Sequence, residues 1–515
     1  MTRIQMIRIA ALFTLIAIPA LFLFREKDAS ADAENDSEAG IESADVRDED
    51  GDAGRMETNP GDEPDSDEEN DLGGKVGAAM EIGILEETSP GGIEYALIRM
   101  PDHEDVSIQI AWPSDWSYRE GINKAAPAVG VRLIFAGGAQ GYPAGDAEEQ
   151  FAELNTEGDI HVAANDHVVL ELTFERDRLA ETIAIANAHL RVPALDREPF
   201  EAIRDALARE LEVGRSRPLH AGFEALRWSI FGEQPLRAAI SFDAPGTFDE
   251  LTREDIAAWY AETFARNPDA VAVAGGVGPD VAGPAIDALF EGLPGEGSAV
   301  SAPETKADYA PRQILLHMPN ADVSSISFVA RLPPTRLGGE IEDLILTRAL
   351  GEDGRGELSD AVRARIPGSR GFVVGTANFS REHRILYMAG EADADSIAEI
   401  ERVVRQAYSK FYRSGPDAGL TELKAPLEAI FSELAVFAVD QARSELQSVL
   451  DGFGTGKSLQ LSAELAGVTE ASLAERLEDA FPAPEEFIVV AVSSDTDALP
   501  QACVISTPQE ALGCP

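Results

Sequence analysis

The chain has 515 residues, 42 basic against 92 acidic, for a formal net charge of −50. That length leaves room for several domains with sizeable cores. The charge argues against nucleic acid and anionic membrane surfaces as partners, and describes a self-repelling, soluble surface.

Residues 1–27 read as a membrane anchor or signal peptide. Ile9–Phe24 is a run of sixteen uncharged residues between Arg8 and Arg25. As a helix it reaches ~24 Å against a hydrocarbon core of ~30 Å, so the flanking arginines would snorkel. The rival reading is cleavage near Ala29-Ser30-Ala31. Charges between the apolar run and that site favour the uncleaved anchor. Either way the body is exported: periplasmic or extracytoplasmic if anchored, secreted if cleaved. Residues 28–78 read as a disordered acidic linker, since Asp28–Gly74 holds 19 acidic and 2 basic residues. Such a composition buries too little surface to offset chain entropy. Asp48, Asp50 and Asp52 resemble the start of a calcium loop, but Ala53 takes the place of the turn Gly and no Glu follows at the twelfth position. They read as solvated charge.

From residue 79 the chain reads as two similar halves, 79–295 and 313–499, joined by a Gly/Pro/Ser/Ala-rich connector, 296–312. Met100-Pro101-Asp102 and the strand-like Val106–Ile110 recur 218 residues later as Met318-Pro319-Asn320 and Val323–Ser327. Thr252, heading a helical pattern before the strand-like Ala270–Ala274, recurs 217 residues later as Thr469, ahead of Phe487–Val492. Two markers agreeing to one residue indicate a duplication. Period-two strands followed by amphipathic helices predict an α+β fold, sheet against helices, in each half.

In the first half, Pro127 suits an early helical position, and Pro127–Phe135 reads as a short apolar helix stopped by Gly137-Gly138. Phe200, Ile203, Leu207 and Leu211 mark a second helix. Glu210 shares its apolar stripe, where a carboxylate needs a partner. His161 and His167 lie in strand-like sequence; on one regular strand they would stand ~20 Å apart, and they read as ordinary polar positions.

These residues resemble the pitrilysin/insulinase family of zinc metallopeptidases, in which an H-x-x-E-H helix is followed some eighty residues later by a third ligand Glu. Aligned by Phe135-Ala136-Gly137-Gly138, the two His fall on Ala128 and Arg132, the base Glu falls on Val131, and the distal ligand is Glu210. The resemblance therefore implies two tandem α/β sandwich domains and a dismantled zinc site. It also places a peptide-binding edge strand near Asn165-Asp166, where the pattern is mostly lost. In the second half it implies a Gly-bearing loop at Gly351–Glu357, mobile or a plain turn. Arg363 holds the place of a substrate-binding Arg, and Arg370 stands where the family has Tyr.

No phosphate-loop, esterase or thiol-redox motif is present; Gly452–Ser458, GFGTGKS, is one residue short of a phosphate loop. Residues 500–515 read as a C-terminal tail whose Cys503 and Cys514 pair if the body is exported, or remain free thiols on a frayed end. The favoured function is a membrane-anchored, catalytically inactive homologue with no cofactor of its own, zinc residing only in a partner. That partner is a catalytic insulinase-family subunit; a homo-oligomer and a binder of unfolded peptides are also open. The alternatives are an envelope scaffold without a role in proteolysis, and a metallopeptidase with atypical ligands.

Overall fold

The computed structural model describes residues 83–113, 115–119, 121–163, 167–239, 247–293 and 304–515. The anchor, linker and Asp48–Asp52 readings lie outside the described residues, as do Asn165, Asp166 and residues 296–303 of the connector.

The first half carries strands β1 (Gly83–Thr88), β2 (Glu94–Arg99), β3 (Asp105–Pro113), β4 (Glu157–Ala163), β5 (His167–Glu175) and β6 (Ala270–Gly275). Its helices are α1 (Ala126–Ala136), α2 (Asp146–Glu153), α3 (Leu179–Arg191), α4 (Arg197–Arg215), α5 (Pro218–Phe231), α6 (Pro235–Ala239), α7 (Arg253–Thr263) and α8 (Pro279–Phe290). The second half carries β7 (Gln313–His317), β8 (Ser324–Leu332), β9 (Arg370–Ser380), β10 (His383–Ala392), β11 (Ile488–Ser493) and β12 (Cys503–Ile505). Its helices are α9 (Glu340–Leu350), α10 (Glu357–Arg365), α11 (Ile397–Ser414), α12 (Leu420–Leu434), α13 (Ala438–Leu450), α14 (Leu461–Gly467) and α15 (Glu470–Asp479).

Each half builds one six-stranded mixed sheet, in the orders β1-β2-β6-β3-β5-β4 and β12-β7-β11-β8-β10-β9. The last five strands correspond one to one. In both, the final long strand, β6 or β11, lies parallel to β2 or β7 and antiparallel to β3 or β8. The duplicated threonines open corresponding helices: Thr252 caps α7 and Thr469 caps α15, each in a reciprocal capping box. Strand alternation sends Val106, Ile108, Ile110 and Trp112 of β3 into the helix-covered core of the first half. Ile326, Phe328, Ala330 and Leu332 of β8 do the same in the second.

Two features depart from the sequence reading. Residues 500–515 are more than a tail, since β12 pairs in parallel with β7, while the Cys503–Cys514 disulfide is present as expected. The sixth strand of the two sheets thus comes from opposite directions along the chain, as β1 in one and β12 in the other. The halves are also not separate bodies, since Gly83–Pro515 fall in one compact unit. They exchange a helix: α5 packs on β8 and β11 of the second sheet, while α13 packs on β3 and β6 of the first.

Candidate functional site

Helix α1 holds the positions of the lost motif. Pro127 sits in its first turn, the Gly137 amide closes its end on the Leu133 carbonyl, and Gly138 turns the chain away at φ 79°. At Gly130 the helix presses on the indole of Trp259, and a Cβ there would stand 2.2 Å from the ring. Val131 is buried, Ala128 packs at the core margin, and Arg132 projects outward. α4 packs across α1 and delivers Glu210 to Arg132, with Nη1 and Oε2 3.8 Å apart. Glu210 is therefore not a buried charge as its place on the stripe predicted. Its side chain is 32% exposed and its partner is Arg132, at 44%. The stripe turns with the helix, so Leu207 meets the core while Glu210 reaches its rim.

These residues do not fit a zinc ion. Ala128 and Val131 offer no donor, and Arg132 brings a cation to the remaining carboxylate. Among the described residues no group of three His, Cys, Asp or Glu side chains is placed to hold a metal.

Beside α1 runs β4, the edge strand of the first sheet. Ile160 points into the core, while Asp159 and His161 share the opposite face, bonded Oδ2 to Nδ1 at 2.9 Å. Burial opposes the Asp159 carboxylate, but His161, the Ile160 amide and Arg132 outweigh it and hold its pKa below the usual range. Burial also opposes protonation of His161, yet Asp159 and Glu171 raise its pKa. The two histidines do not share one strand. β4 and β5 form a hairpin, with His161 opposite Val169 and His167 opposite Ala163. Each has its own carboxylate: buried His167 meets Asp269 at 2.9 Å and pulls the Asp269 pKa down.

In the second half Arg363 is engaged locally. Its Nη1 donates to Asp360 at 2.6 Å, and Nη2 donates to the Gly354 carbonyl. Arg370 opens β9, exposed and opposite Glu391. Gly351–Glu357 is tied to β9 and α10 by hydrogen bonds. The Gly351 carbonyl accepts from the Val374 amide at 3.1 Å, and Ser359 Oγ donates to the Phe372 carbonyl at 3.0 Å. The loop thus caps part of the β9 edge. The GFGTGKS turn folds around the buried Glu445 carboxylate, which accepts from the Gly456 amide at 2.7 Å and Ser458 Oγ at 2.6 Å.

The sequence reading missed one buried constellation. Asp343 of α9, fully buried, accepts from Arg476 Nε and Nη2 of α15 at 2.7 and 2.8 Å, and from Arg384 of β10. Its members lie 41 and 133 residues apart, so no local spacing announces it.

A family model described as the peptidase M16 inactive domain matches residues 250–425. Over those residues the chain is similar to the pitrilysin/insulinase, or M16, peptidases. The chain superposes on a peptidase M16 inactive domain from Pseudomonas fluorescens with a TM-score of 0.70 and 13% identity, over 80% of this chain and 98% of that one. A protease from Helicobacter pylori gives 0.68 and 12%, over 80% and 100%. The periplasmic protease PqqL from Escherichia coli gives 0.59 and 15%; there 85% of this chain spans 50% of the other. At such identities the likeness is one of fold, a mixed α/β fold whose two sheets fit two domains. No curated protein matches the sequence significantly.

Proposed function

We propose that this M16 homologue is a catalytically inert subunit that holds peptide for a zinc-bearing partner. The observation that carries the reading is the Arg132–Glu210 ion pair. A guanidinium occupies a metal-ligand position and engages the distal carboxylate, so this chain supplies neither a metal nor a base for its water. Beside it β4 is an edge strand, suited to adding an extended peptide through main-chain hydrogen bonds. Zinc, in this reading, belongs to the partner. The apolar run Ile9–Phe24 anchors the chain, and the body works outside the cytoplasm. Among the described residues no helix is long and apolar enough to cross a membrane, so anchoring rests on that run alone.

A second reading, an envelope scaffold with no role in proteolysis, is favoured by Arg363. Its guanidinium is held by Asp360 and Gly354 of its own half instead of reaching toward a partner's site. One experiment separates the two: a gentle detergent pull-down of the full chain, with mass spectrometry of bound chains and a zinc assay. A stoichiometric H-x-x-E-H protein carrying the zinc is the expected result. Absence of both leaves the scaffold, and zinc on this chain alone would overturn the inert site.

A further inference from the structure

The two exchanged helices rest on unlike beds. α5 lies in an apolar one: Phe223, Leu226, Ile230 and Phe231 share a core with Ile314, Val329, Ile488 and Val490 of the second sheet. The 3-10 turn Pro508–Gly513, held by the disulfide, covers it from outside. Twelve of its residues are buried, so leaving that bed would bare a large apolar surface.

α13 meets a different surface. The face of the first sheet opposite its core mixes polar Ser107, Gln109, Glu171 and Thr173 with apolar Ile98 and Val169 and the alanines of β2, β3 and β6. The helix answers with Ala438, Gln441, Ala442, Ser444, Glu445, Leu446 and Leu450. Small side chains let it lie close, and with two leucines as its only large buried apolar groups it hides less apolar area than α5 does. Polar groups in this layer are incompletely matched. Gln109 Nε2 and Thr173 Oγ1 both donate to Ser107 Oγ at 3.2 Å, while Gln109 Oε1 and Gln441 Oε1 find no partner among the described residues. Such atoms favour an open state in which water reaches them.

What fastens α13 is largely polar. Arg443 bridges to Glu171 through two bonds, at 3.1 and 2.8 Å, Arg381 Nε donates to the Leu450 carbonyl at the end of the helix, and just before the helix the Val436 carbonyl accepts from His103 Nε2 at 2.5 Å. Beyond the helix runs a glycine loop, Asp451–Lys457, with Gly452 and Gly456 at φ 93° and 89° and Gly454 in open space. Once the Gly456 amide and the Ser458 hydroxyl leave Glu445, such a segment absorbs backbone rotation readily.

We infer that α13 is a releasable arm, lifting from the polar face of the first sheet about the 451–457 loop while α5 stays seated on the second. The open state bares serine, glutamine, threonine and glutamate side chains that water solvates, together with Ile98, Val169, Leu446 and Leu450, and leaves the main apolar core of each half covered. Release uncouples one side of the exchange and so loosens the halves asymmetrically.

Amide hydrogen exchange of the full chain, followed by mass spectrometry, tests the arm directly. Peptides from 438–450 should exchange at least about tenfold faster than those from 218–231 under native conditions. Arg443→Gln, which removes the bridge, should speed the first set further and leave the second unchanged. Equal protection of both helices in wild type, or a common acceleration of both in the variant, would show that the exchange opens as one cooperative unit and would overturn the arm.

Discussion

At equivalent places the two halves solve the same packing problem with opposite chemistry. The fourth residue of α1 is Val129 and that of α9 is Asp343; the seventh of α7 is Trp259 and that of α15 is Arg476. Val168 of β5 faces Trp112 across the ladder, as Arg384 of β10 faces Leu332. The first half therefore closes over a valine, tryptophan and valine layer, and the second over one aspartate clasped by two arginines, all buried or nearly so. An apolar layer tolerates loss of polarity but not of shape. An ionic layer tolerates neither loss of a partner nor misalignment, and adds little net stability while it is intact. The positions that the family resemblance aligns with a zinc motif sit on the apolar helix, where a closely seated indole and a glycine set the helix position.

The contrast breaks most visibly at Asp343. Asp343→Ala leaves Arg384 and Arg476 without their counter-charge and should cost about 3–5 kcal/mol, read as a lowered urea midpoint. Gly130→Ala tests the apolar side by driving a methyl into the Trp259 ring. About 1–3 kcal/mol of destabilisation is expected, accompanied by a change in tryptophan fluorescence. An effect near zero would mean that α1 slides freely over the indole.

The second half should also be the pH-sensitive one. Glu340, heading α9, has its pKa pushed up to about 7, chiefly by burial and then by Asp451, against the pull of Arg384 and Lys457. Asp451, at the end of α13, is pushed up to about 6, mainly by burial. A raised carboxyl pKa means that the fold prefers the protonated form. This contribution is complete below the ordinary carboxyl range and is lost as pH rises through about 7. Glu340→Gln should flatten the stability profile between about pH 4.5 and 7, a difference on the order of 2 kcal/mol in thermal or urea unfolding. An unchanged slope would remove Glu340 as its source.

The smallest effect is expected at the remnant site. Arg132→Ala and Glu210→Leu each remove half of an exposed pair and should change stability by less than about 1 kcal/mol. A larger loss at either would reveal a partner beyond that pair.

The duplication, the α1 stop and both threonine caps were legible because they rest on local rules: spacing, a paired glycine, a hydroxyl three residues ahead of the amide it caps. Arg132 and Glu210 could be brought together only through the family resemblance, since nothing local joins positions 78 residues apart. Periodicity put Glu210 on the correct helix but overstated its depth, because a stripe does not say where the core ends. The exchanged helices were hidden for a related reason: α5 and α13 are apolar or amphipathic in the ordinary way, and nothing in them names the sheet they will cover. The edge strand β12 was too short to register, at three residues.

The helix exchange also imposes an order of events on synthesis. When a ribosome has finished the first half, α5 exists but its bed, made by β8 and β11, does not. The polar face of the first sheet likewise waits for residues 438–450. Neither sheet is covered on both faces until nearly the whole chain has emerged, and β12 closes the second one at the very end. Domains commonly fold one after another as they are made. Here the nascent chain carries α5, twelve of whose fourteen residues are buried in the finished fold, for more than two hundred residues before its seat is complete.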